Sequence, residues 1–376
     1  MTERQVLVVL HEPQAGGAVL SVLRAVPELE RMGWRFAFWA PKPSPLHDRL
    51  AAERRDVDGA PRYIDHSLRA LRLPPGPRRR MASVPRYLRR FRRFVRERAP
   101  ALVHANSILT LTEGVAASRL GLPVLLHVHE MVPGGVRGRL ARRLAWSRLD
   151  GVVAVSDACG RTMTWDGRRP RIVHEAAPIP DKPVAIRSQP RPFTVGTVGV
   201  VSQRKGTDLF VDAAARVSER APEIRFELIG GGADERDRRW IEATLARARA
   251  AGVAYAPRAD VLSRMHEWDA FALPSRADPF PISMLEAMAS GLPVIGTRVD
   301  GIAEQVTPDC GVLVPPDDPV ALSDAVIRLA SESGATREEM GRAARRRVSE
   351  RFSIEVQARG LDVAYRAALA TGNPSR

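Results

Sequence analysis

Two carboxylates separated by seven residues, Asp278 and Glu286, stand out in the stretch DPFPISMLEAMASGLPVIGT, which begins at Asp278. Pro281 suits the first position of a helix, where its missing N–H removes no hydrogen bond, and Gly291 followed by Pro293 predicts an end after about ten residues. One acid then lies in the loop before the helix and the other inside it. We expect them to act as separate acceptors for hydroxyl groups rather than as an acid–base pair.

The first amides of this helix, at Ile282, Ser283 and Met284, are expected to face the preceding loop, because the first N–H groups of a helix have no partner within it. Such helix ends bind anions, and phosphate is the ligand that this one predicts. The two acids would then flank a bound diphosphate. Taken alone, the motif also fits an ordinary helix with a solvated Glu286 and with Asp278 in a turn.

A pair of cations, Arg204 and Lys205, ends the motif VGTVGVVSQRKG, which runs from a predicted strand into a loop and then a helix. Lysine occurs only three times among the 58 basic residues of the chain, so a lysine beside a glycine is unusual here. A compact ammonium group suits phosphate oxygens. Two solvated surface cations are the alternative interpretation.

In the first half of the chain, Gly16 and Gly17 follow the first predicted strand and allow a ligand to approach the backbone closely, although a plain turn explains them too. His127 and His129 end a later strand and fall on the same face of it. Glu130 falls on the opposite face, and the sequence places no third metal ligand nearby. We therefore predict no metal site, and we expect His129 to contact substrate.

Short apolar runs alternate with helical patterns along the chain, which predicts parallel strands joined by helical crossovers. A proline-rich polar stretch near residues 178–192 predicts a linker between two α/β domains. We expect an N-terminal domain over residues 1–178, a linker over 179–192 and a C-terminal domain over 193–355, with a last helix, about 356–376, packing back on the first domain. Ligands of such sheets gather at the carboxyl ends of the strands. The predicted strands are 6–10, 36–40, 101–104, 124–128, 152–156, 195–200, 226–229, 270–274, 294–297 and 312–314.

The net charge of +15 fits an anionic membrane surface, nucleic acid or a phosphorylated ligand. Ten arginines lie between Arg78 and Arg98, interleaved with apolar residues at helical spacing. A helix that packs its apolar stripe and leaves its arginines solvated is the favoured interpretation. The alternative is a basic face that docks on anionic lipid or on a phosphorylated acceptor. Nucleic-acid binding is disfavoured, because the aromatic residues of this stretch have the spacing of core residues.

The two cysteines, Cys159 and Cys310, are far apart in unrelated surroundings, which predicts reduced thiols. No apolar run approaches the length of a membrane span, and the N-terminus lacks the pattern of a secretory signal. We expect a cytoplasmic protein, with contact at the inner face of the membrane as the consequence of the alternative interpretation of the arginine-rich stretch.

Together these motifs resemble those of the retaining glycosyltransferases of family 4, which carry an acid-x7-acid motif on a GT-B fold. The resemblance covers most of the chain and is most specific in its second half, in ALPSRADPFPISMLEAMASGLPVIGT at 272–297 and FELIGGG at 226–232. It implies two Rossmann-like parallel-sheet domains that face each other across a cleft. It also implies transfer of a hexosyl unit from a UDP- or GDP-linked sugar to a hydroxyl acceptor, with no essential metal or other cofactor.

The resemblance implies a role for each matching residue. Lys205 and Arg204 would neutralise the donor diphosphate, supported by the helix amides at Ile282, Ser283 and Met284. Glu286 would bind the ribose and Asp278 the transferred sugar, with His129 beside that sugar. The four glycines would line the donor site, with Gly16 and Gly17 near the phosphates and Gly230 and Gly231 in the nucleotide pocket. Two positions depart from the pattern: the first acid is commonly glutamate, and the usual arginine before the lysine is replaced by Arg204 directly beside it.

The acceptor predicted from this resemblance is a glycan, a lipid-linked glycan or a small natural product, and nucleic acid is not an expected partner. A sugar-nucleotide epimerase on the same fold and a non-catalytic basic protein that binds nucleic acid or membrane remain as alternatives. A phosphorylase is disfavoured, because it would need a lysine for pyridoxal phosphate and a much longer chain.

Overall fold

The computed structural model describes residues 4–60, 77–183, 192–231, 237–257 and 259–371, with the side chains of residues 77–83 also left undescribed. The chain divides into two compact units. Unit 1 comprises residues 1–174 and 354–376, and unit 2 comprises residues 175–353. The predicted linker is therefore divided, because residues 179–183 belong to unit 2 and residues 184–191 lie outside the description.

Unit 1 contains, among the described residues, a seven-stranded parallel sheet in the order β3-β2-β1-β4-β5-β6-β7. The strands are β1 (Arg4–Val9), β2 (Trp34–Pro41), β3 (Asp56–Ala60), β4 (Leu102–Asn106), β5 (Val124–Val128), β6 (Gly151–Ala154) and β7 (Arg171–Ile172). The helices that follow them are α1 (Gly17–Arg31), α2 (Pro45–Ala52), α3 (Pro77–Arg98), α4 (Leu111–Ser118), α5 (Gly135–Arg148) and α6 (Asp157–Met163), with a 3-10 turn at Ile108–Thr110.

The core of unit 1 lies on both faces of its sheet. Leu7 and Val9 of β1 pack on one face, against α3, α4 and α5. Val6 and Val8 pack on the other face, against α1 and α2. This alternation follows from the two-residue period of a strand, and it explains why the central strands read as continuous apolar runs.

Unit 2 contains a six-stranded parallel sheet, within the described ranges, in the order β10-β9-β8-β11-β12-β13. The strands are β8 (Thr194–Val198), β9 (Arg225–Ile229), β10 (Ala254–Ala256), β11 (Ala270–Leu273), β12 (Val294–Thr297) and β13 (Gly311–Val314). The helices are α7 (Thr207–Arg220), α8 (Arg238–Ala250), α9 (Val261–Met265), α10 (Ile282–Ala289), α11 (Ile302–Gln305), α12 (Pro319–Ser331) and α13 (Gly334–Arg351). Helices α7 and α12 contribute to the core cluster on one face of this sheet, and α10 packs against α13.

The C-terminal helix α14 (Ile354–Thr371) returns to unit 1. It packs against α1, and its buried residues Leu361 and Tyr365 join the core cluster of that unit. Before this helix, Ala177 N donates to Phe352 O at 3.1 Å within unit 2, so the chain crosses between the units close to residues 174 and 353.

The predicted parallel α/β architecture is confirmed in both units. Three strands were not predicted: β3, β7 and β10. All three form sheet edges, where a strand is covered on fewer sides and its sequence needs no continuous apolar run. The predicted helix over the arginine-rich stretch is confirmed as α3, with Phe91, Phe94 and Val95 buried. Both cysteines are free and buried, as predicted.

Candidate functional site

The centre of the site in unit 2 is an ion pair between Lys205 and Asp278. Lys205 Nζ donates to Asp278 Oδ2 at 2.7 Å, and their side chains are only 15% and 6% exposed. Ser275 Oγ donates to the same oxygen at 3.3 Å. Arg204 Nη1 lies 3.8 Å from it and donates to the Ala277 carbonyl at 3.0 Å. Two cations predicted from the sequence therefore converge on the first predicted acid.

A glycine next to the lysine sets the path of this loop. Gly206 caps the N-terminus of α7 in the left-handed conformation, with φ of +65°. A Cβ at this position would lie 1.9 Å from the Pro274 carbonyl oxygen, so no larger residue fits without moving one of the two loops. The Lys205 side chain also runs over Gly199, where a Cβ would be 3.7 Å from its Cδ and Cε atoms.

Arg276 joins the two loops that carry Lys205 and Asp278. Its guanidinium donates twice to Asp208 of α7, both at 2.8 Å, and once to the Gln203 carbonyl at 2.7 Å, and it also pairs with Asp317. The hydrogen bonds with Asp208 raise the pKa of Arg276 above its usual range, against the effect of burial. No role was predicted for this residue from the sequence, although the guanidinium fork of arginine suits bidentate pairing with a carboxylate.

The backbone of Asp278 is held from the following loop. Its amide donates to Asp300 Oδ2 at 2.9 Å, and its carbonyl accepts from Gly301 N at 3.1 Å. A Cβ at Gly301 would lie 2.0 Å from the Pro279 carbonyl oxygen, so this contact requires glycine. The backbone of Asp278 is consequently held at both its amide and its carbonyl, which fixes where its side chain begins.

Helix α10 begins directly after this loop. It starts at Ile282 and ends at Ala289, slightly shorter than predicted, because Pro281 is the N-cap rather than the first helical residue. No side chain among the described residues caps it. Ile282 and Ser283 are half-buried, Met284 is fully buried and Glu286 is half-buried one turn further on. The predicted helix N-terminus therefore lies beside Asp278, on the same loop.

Gly230 and Gly231 follow β9, at the same edge of the sheet as the loop after β8. Gly230 has φ of +146°, and a Cβ on it would lie 1.8 Å from the Gly199 carbonyl oxygen. Gly231 is exposed, and its carbonyl accepts from Val201 N at 3.0 Å. These glycines therefore allow the two loops after β8 and β9 to run side by side.

In unit 1, His129 is positioned by Asn106. His129 Nε2 and Asn106 Oδ1 are 3.0 Å apart, and Asn106 Nδ2 donates to the Ala18 carbonyl at 2.9 Å. Because the amide nitrogen is used by Ala18, the amide oxygen faces the imidazole, so Nε2 of His129 carries the hydrogen. Asn106 thus links the end of β4 to the end of β5 and to the first turn of α1, next to Gly16 and Gly17.

The carboxylate of Glu12 lies over Gly16, the N-cap of α1. A Cβ at Gly16 would be 2.0 Å from Glu12 Oε2, and His11 Nε2 is 3.5 Å from Glu12 Oε1. Burial opposes ionisation of Glu12, but the hydrogen bond with His11, the two nearby histidines and the Gly16 amide lower its pKa overall. Glu12 was not singled out from the sequence, and it places an anion at the helix end where a ligand was predicted.

A stack of buried histidines lies behind His129. The rings of His127 and His129 are 4.1 Å apart, and His104 lies 5.4 Å beyond His127 and bonds Tyr365 Oη at 2.8 Å. Burial lowers the pKa of His104 to about 3 and that of His127 well below its usual value. Both ring nitrogens of His127 lack a hydrogen-bond partner in the described part of the chain. These histidines are therefore neutral core residues.

Glu130 was weighed as a metal ligand from the sequence. In the structure it accepts hydrogen bonds from the loop after β4. It accepts from Ile108 N at 3.2 Å and from its neighbour His129 N at 3.1 Å, and it also accepts from Ser107 Oγ. No group of three or more His, Cys, Asp or Glu side chains that could hold a metal ion occurs among the described residues.

The sequence matches two family models that divide the chain near the boundary of the two units. The model described as glycosyl transferase 4-like domain matches residues 16–175. The model described as glycosyl transferases group 1 matches residues 179–347 and contains every predicted site residue of unit 2.

Similar proteins point in the same direction. The D-inositol 3-phosphate glycosyltransferase of Kribbella flavida is 34% identical over 185 residues, which is 46% of this chain and 43% of that protein. The lipopolysaccharide core biosynthesis mannosyltransferase LpsB of Rhizobium meliloti is 29% identical over 248 residues, 60% of this chain and 69% of that protein. The match thus spans less than half the length of the first relative.

Two solved structures share the fold along nearly the whole chain. Anabaena HepE in complex with UDP-glucose superposes with a TM-score of 0.77 at 18% identity, over 96% of this chain and 98% of that one. The sucrose-phosphate synthase of Thermosynechococcus elongatus superposes with a TM-score of 0.77 at 21% identity, over 98% and 99%. At these identities the likeness establishes the fold of the two parallel-sheet units.

Proposed function

We propose that this chain, which belongs to the family 4 type of glycosyltransferases with a GT-B fold, transfers a hexosyl group from a UDP- or GDP-linked sugar to a hydroxyl acceptor. We further propose that the anomeric configuration is retained and that no metal ion is required. The observation that carries the proposal is the convergence of Lys205 and Arg204 on Asp278 beside the N-terminus of α10.

The cations would act on the leaving group. Departure of a nucleoside diphosphate leaves negative charge on the phosphate, and positioned positive groups lower the barrier most where that charge develops. Lys205 is held by its neighbours and is mostly buried, so its ammonium group needs little reorganisation. The first amides of α10 add donors of the kind that bind phosphate. Together these groups would supply the positive field that supports a metal-independent reaction.

The carboxylates would recognise hydroxyl groups. Asp278 already has its backbone fixed by Asp300 and Gly301, so it presents its carboxylate at a defined place for the transferred sugar. Asp278 is one methylene shorter than glutamate, and its Oδ2 lies 2.7 Å from Lys205 Nζ. Glu286 would accept from the ribose. Gly230 and Gly231 would leave room for the nucleotide.

The residues of unit 1 would act on the sugar and the acceptor. His129, oriented by Asn106, would contact the transferred sugar near its reacting carbon. Gly16 and Gly17 would let the first turn of α1 approach the donor phosphates, once the Glu12 carboxylate moves away from Gly16. The acceptor would be a glycan, a lipid-linked glycan or a small natural product.

UDP is the first nucleotide to test, because the HepE structures that share this fold contain UDP or UDP-glucose. The experiment is thermal unfolding of the purified protein with UDP, GDP and their hexose conjugates, with and without Mg²⁺. A nucleotide at a hundred times its dissociation constant stabilises the protein by about 2.7 kcal/mol. We expect stabilisation that does not depend on Mg²⁺.

Matched lysine variants locate the site. Lys205→Met is expected to abolish nucleotide stabilisation and to lower transfer at least a hundredfold, since one charge at the leaving group is worth several kcal/mol. Lys182→Met, which removes an exposed lysine of the same unit, is the control and is expected to change neither. Full activity of a folded Lys205→Met protein would overturn the site.

Two other results would change the proposed function. An isomerised sugar nucleotide without transfer would identify an epimerase instead, and absence of nucleotide binding by the folded protein would refute the nucleotide-sugar donor.

A further inference from the structure

Most of the net charge of the chain belongs to two helices. Helices α3 and α5 together carry fifteen arginines and one acid, Glu97, while the whole chain has a net charge of +15. The rest of the protein is therefore close to neutral. A charge concentrated in this way on two helices indicates an interaction surface rather than a general compositional bias.

The two helices share one face of unit 1. Helix α4 packs between them, contacting both, and all three contribute to the same core cluster on that face of the sheet. Phe91 and Phe94 of α3 and Ala145 of α5 are buried in this cluster. The opposite sides of α3 and α5 consequently form a single outward layer, which we call the arginine surface.

Much of this charge is not neutralised. On α3, Arg90, Arg93 and Arg98 pair with acidic side chains. Seven other exposed arginines of the two helices have no ion pair or hydrogen bond within the described ranges. They are Arg86, Arg89 and Arg96 on α3, and Arg137, Arg139, Arg143 and Arg148 on α5. These seven are the charges available to a partner.

Apolar side chains are exposed among these arginines. Val136 is 72% exposed and Leu140 is 55% exposed, the two highest values for large hydrophobic residues in the described part of the chain. They lie four residues apart on α5 and thus share one side of that helix. Exposed aliphatic groups beside unpaired arginines suit an anionic membrane surface, because the apolar groups can enter the headgroup boundary while the cations bind its phosphates.

We propose that the arginine surface docks unit 1 on an anionic lipid bilayer, with Val136 and Leu140 entering the interface and the seven unpaired arginines binding headgroup phosphates. No described helix is long and apolar enough to cross a membrane, so this contact is peripheral. Helix α5 begins six residues after His129, at the edge of the sheet that carries the candidate site. Resting on the proposed function, this docking would bring that edge to an acceptor carried by a lipid.

The described aromatic residues of this surface favour lipid over nucleic acid. Binding of single-stranded nucleic acid uses exposed aromatic rings on which bases stack. Phe91 and Phe94 are buried, and the half-buried Tyr87 uses its hydroxyl to donate to Glu113 at 2.7 Å and to accept from Trp39 Nε1 at 2.9 Å. Aliphatic side chains such as Val136 and Leu140 offer no stacking surface, but they do partition into lipid.

The test is co-sedimentation of the full chain with vesicles of phosphatidylcholine containing about a third phosphatidylglycerol, compared with pure phosphatidylcholine vesicles. We expect binding only to the anionic vesicles, weakening as salt rises. Each arginine near such a surface strengthens binding roughly fivefold, so Arg137→Gln, Arg139→Gln and Arg143→Gln together are expected to weaken it about a hundredfold. Val136→Ser with Leu140→Ser is expected to weaken it at least about tenfold, even if the two side chains are only partly buried in the interface.

Matched controls lie in unit 2. Arg216→Gln, Arg239→Gln and Arg249→Gln remove three exposed arginines with the same change of net charge, and Val320→Ser removes an exposed valine. Both controls are expected to bind as the parent does. Equal loss in control and test variants would show a response to net charge alone and would overturn the proposed surface. Binding to a single-stranded oligonucleotide but not to anionic vesicles would overturn the choice of lipid.

Nucleotide stabilisation separates this proposal from the proposed function. The arginine variants should retain the thermal shift with UDP or GDP, because none of their changes lies in unit 2. Vesicle binding without any nucleotide binding would leave the docking surface standing and refute the donor site. Nucleotide binding without vesicle binding would leave the donor site standing and refute the docking surface.

Discussion

In both units the candidate residues lie at or after the carboxyl ends of parallel strands, but different interactions hold them in place. In unit 2, charged side chains sit on short loops after parallel strands, and glycines such as Gly206 and Gly301 allow those loops to touch. In unit 1, neutral buried groups from neighbouring strands, above all Asn106 and the histidine stack, position His129. Two units of similar fold therefore position their candidate residues differently, through ion pairs between loops in unit 2 and through uncharged hydrogen bonds and ring packing in unit 1.

Acid should separate the two units most clearly. Burial lowers the pKa of His104 to about 3 and that of His127 well below 6.5. Below about pH 6.5, these two histidines therefore bind more protons in the unfolded chain than in the folded chain. Stability therefore falls as the pH drops below about 6.5, by about 2 kcal/mol at pH 5 from His104, and His127 adds to the loss. Hydrogen exchange measured at pH 7.5 and 5 should show a loss of at least about 2 kcal/mol in unit 1.

Unit 2 is the internal control, because His266 is its only histidine. His127→Leu should reduce the acid sensitivity of unit 1, since it eliminates one of the two buried titrating groups. Equal acid destabilisation of both units would contradict the assignment of this effect to the histidine stack.

Two glycines of unit 2 with positive φ test how much the close contact between loop backbones contributes to stability. Gly206 and Gly252 have φ of +65° and +71°, but only Gly206 faces another backbone, at 1.9 Å from a substituted Cβ, while nothing lies within 4 Å at Gly252. We expect Gly252→Ala to cost about 1 kcal/mol and Gly206→Ala about 3 kcal/mol of unfolding free energy, because the second adds a steric overlap. Urea denaturation measures both.

Nucleotide binding supplies a second measurement on the same pair. Gly206→Ala should also weaken stabilisation by UDP or GDP, since it displaces the loop of Lys205, while Gly252→Ala should not. Equal costs for the two substitutions would show that the contact between the two loops is easily relaxed.

The smallest effect is expected at Asn106. Asn106→Ala should lower kcat roughly tenfold with little change in donor KM, because His129 loses its orienting acceptor. The lost buried hydrogen bonds should cost about 1–2 kcal/mol of stability. Asn106→Asp keeps an acceptor for His129, so we expect partial rescue, with the pH dependence of kcat moved upward by the added negative charge. Loss of stability without any change in the kcat profile would assign Asn106 a purely structural role.

Prediction from the sequence succeeded where a residue type is itself informative. The ten predicted strands correspond to ten observed strands, and the unpredicted β3, β7 and β10 are edge strands with short or polar sequences. In unit 2, the rarity of lysine among many arginines identified Lys205, which the structure places on Asp278. Arg276 was overlooked, because its partners Asp208 and Asp317 are 68 and 41 residues away in the chain.

The order of residues by itself determined the parallel α/β architecture, the division into two halves and the charged and glycine-rich loops of unit 2. Those features depend on local periodicity, on backbone conformations that favour glycine and on residues close together in the chain. Only the tertiary structure decided that Asn106 orients His129, that the Glu12 carboxylate lies over Gly16 and that α3 and α5 share one surface. These relations arise from strand order in the sheet, which joins residues that no local pattern connects.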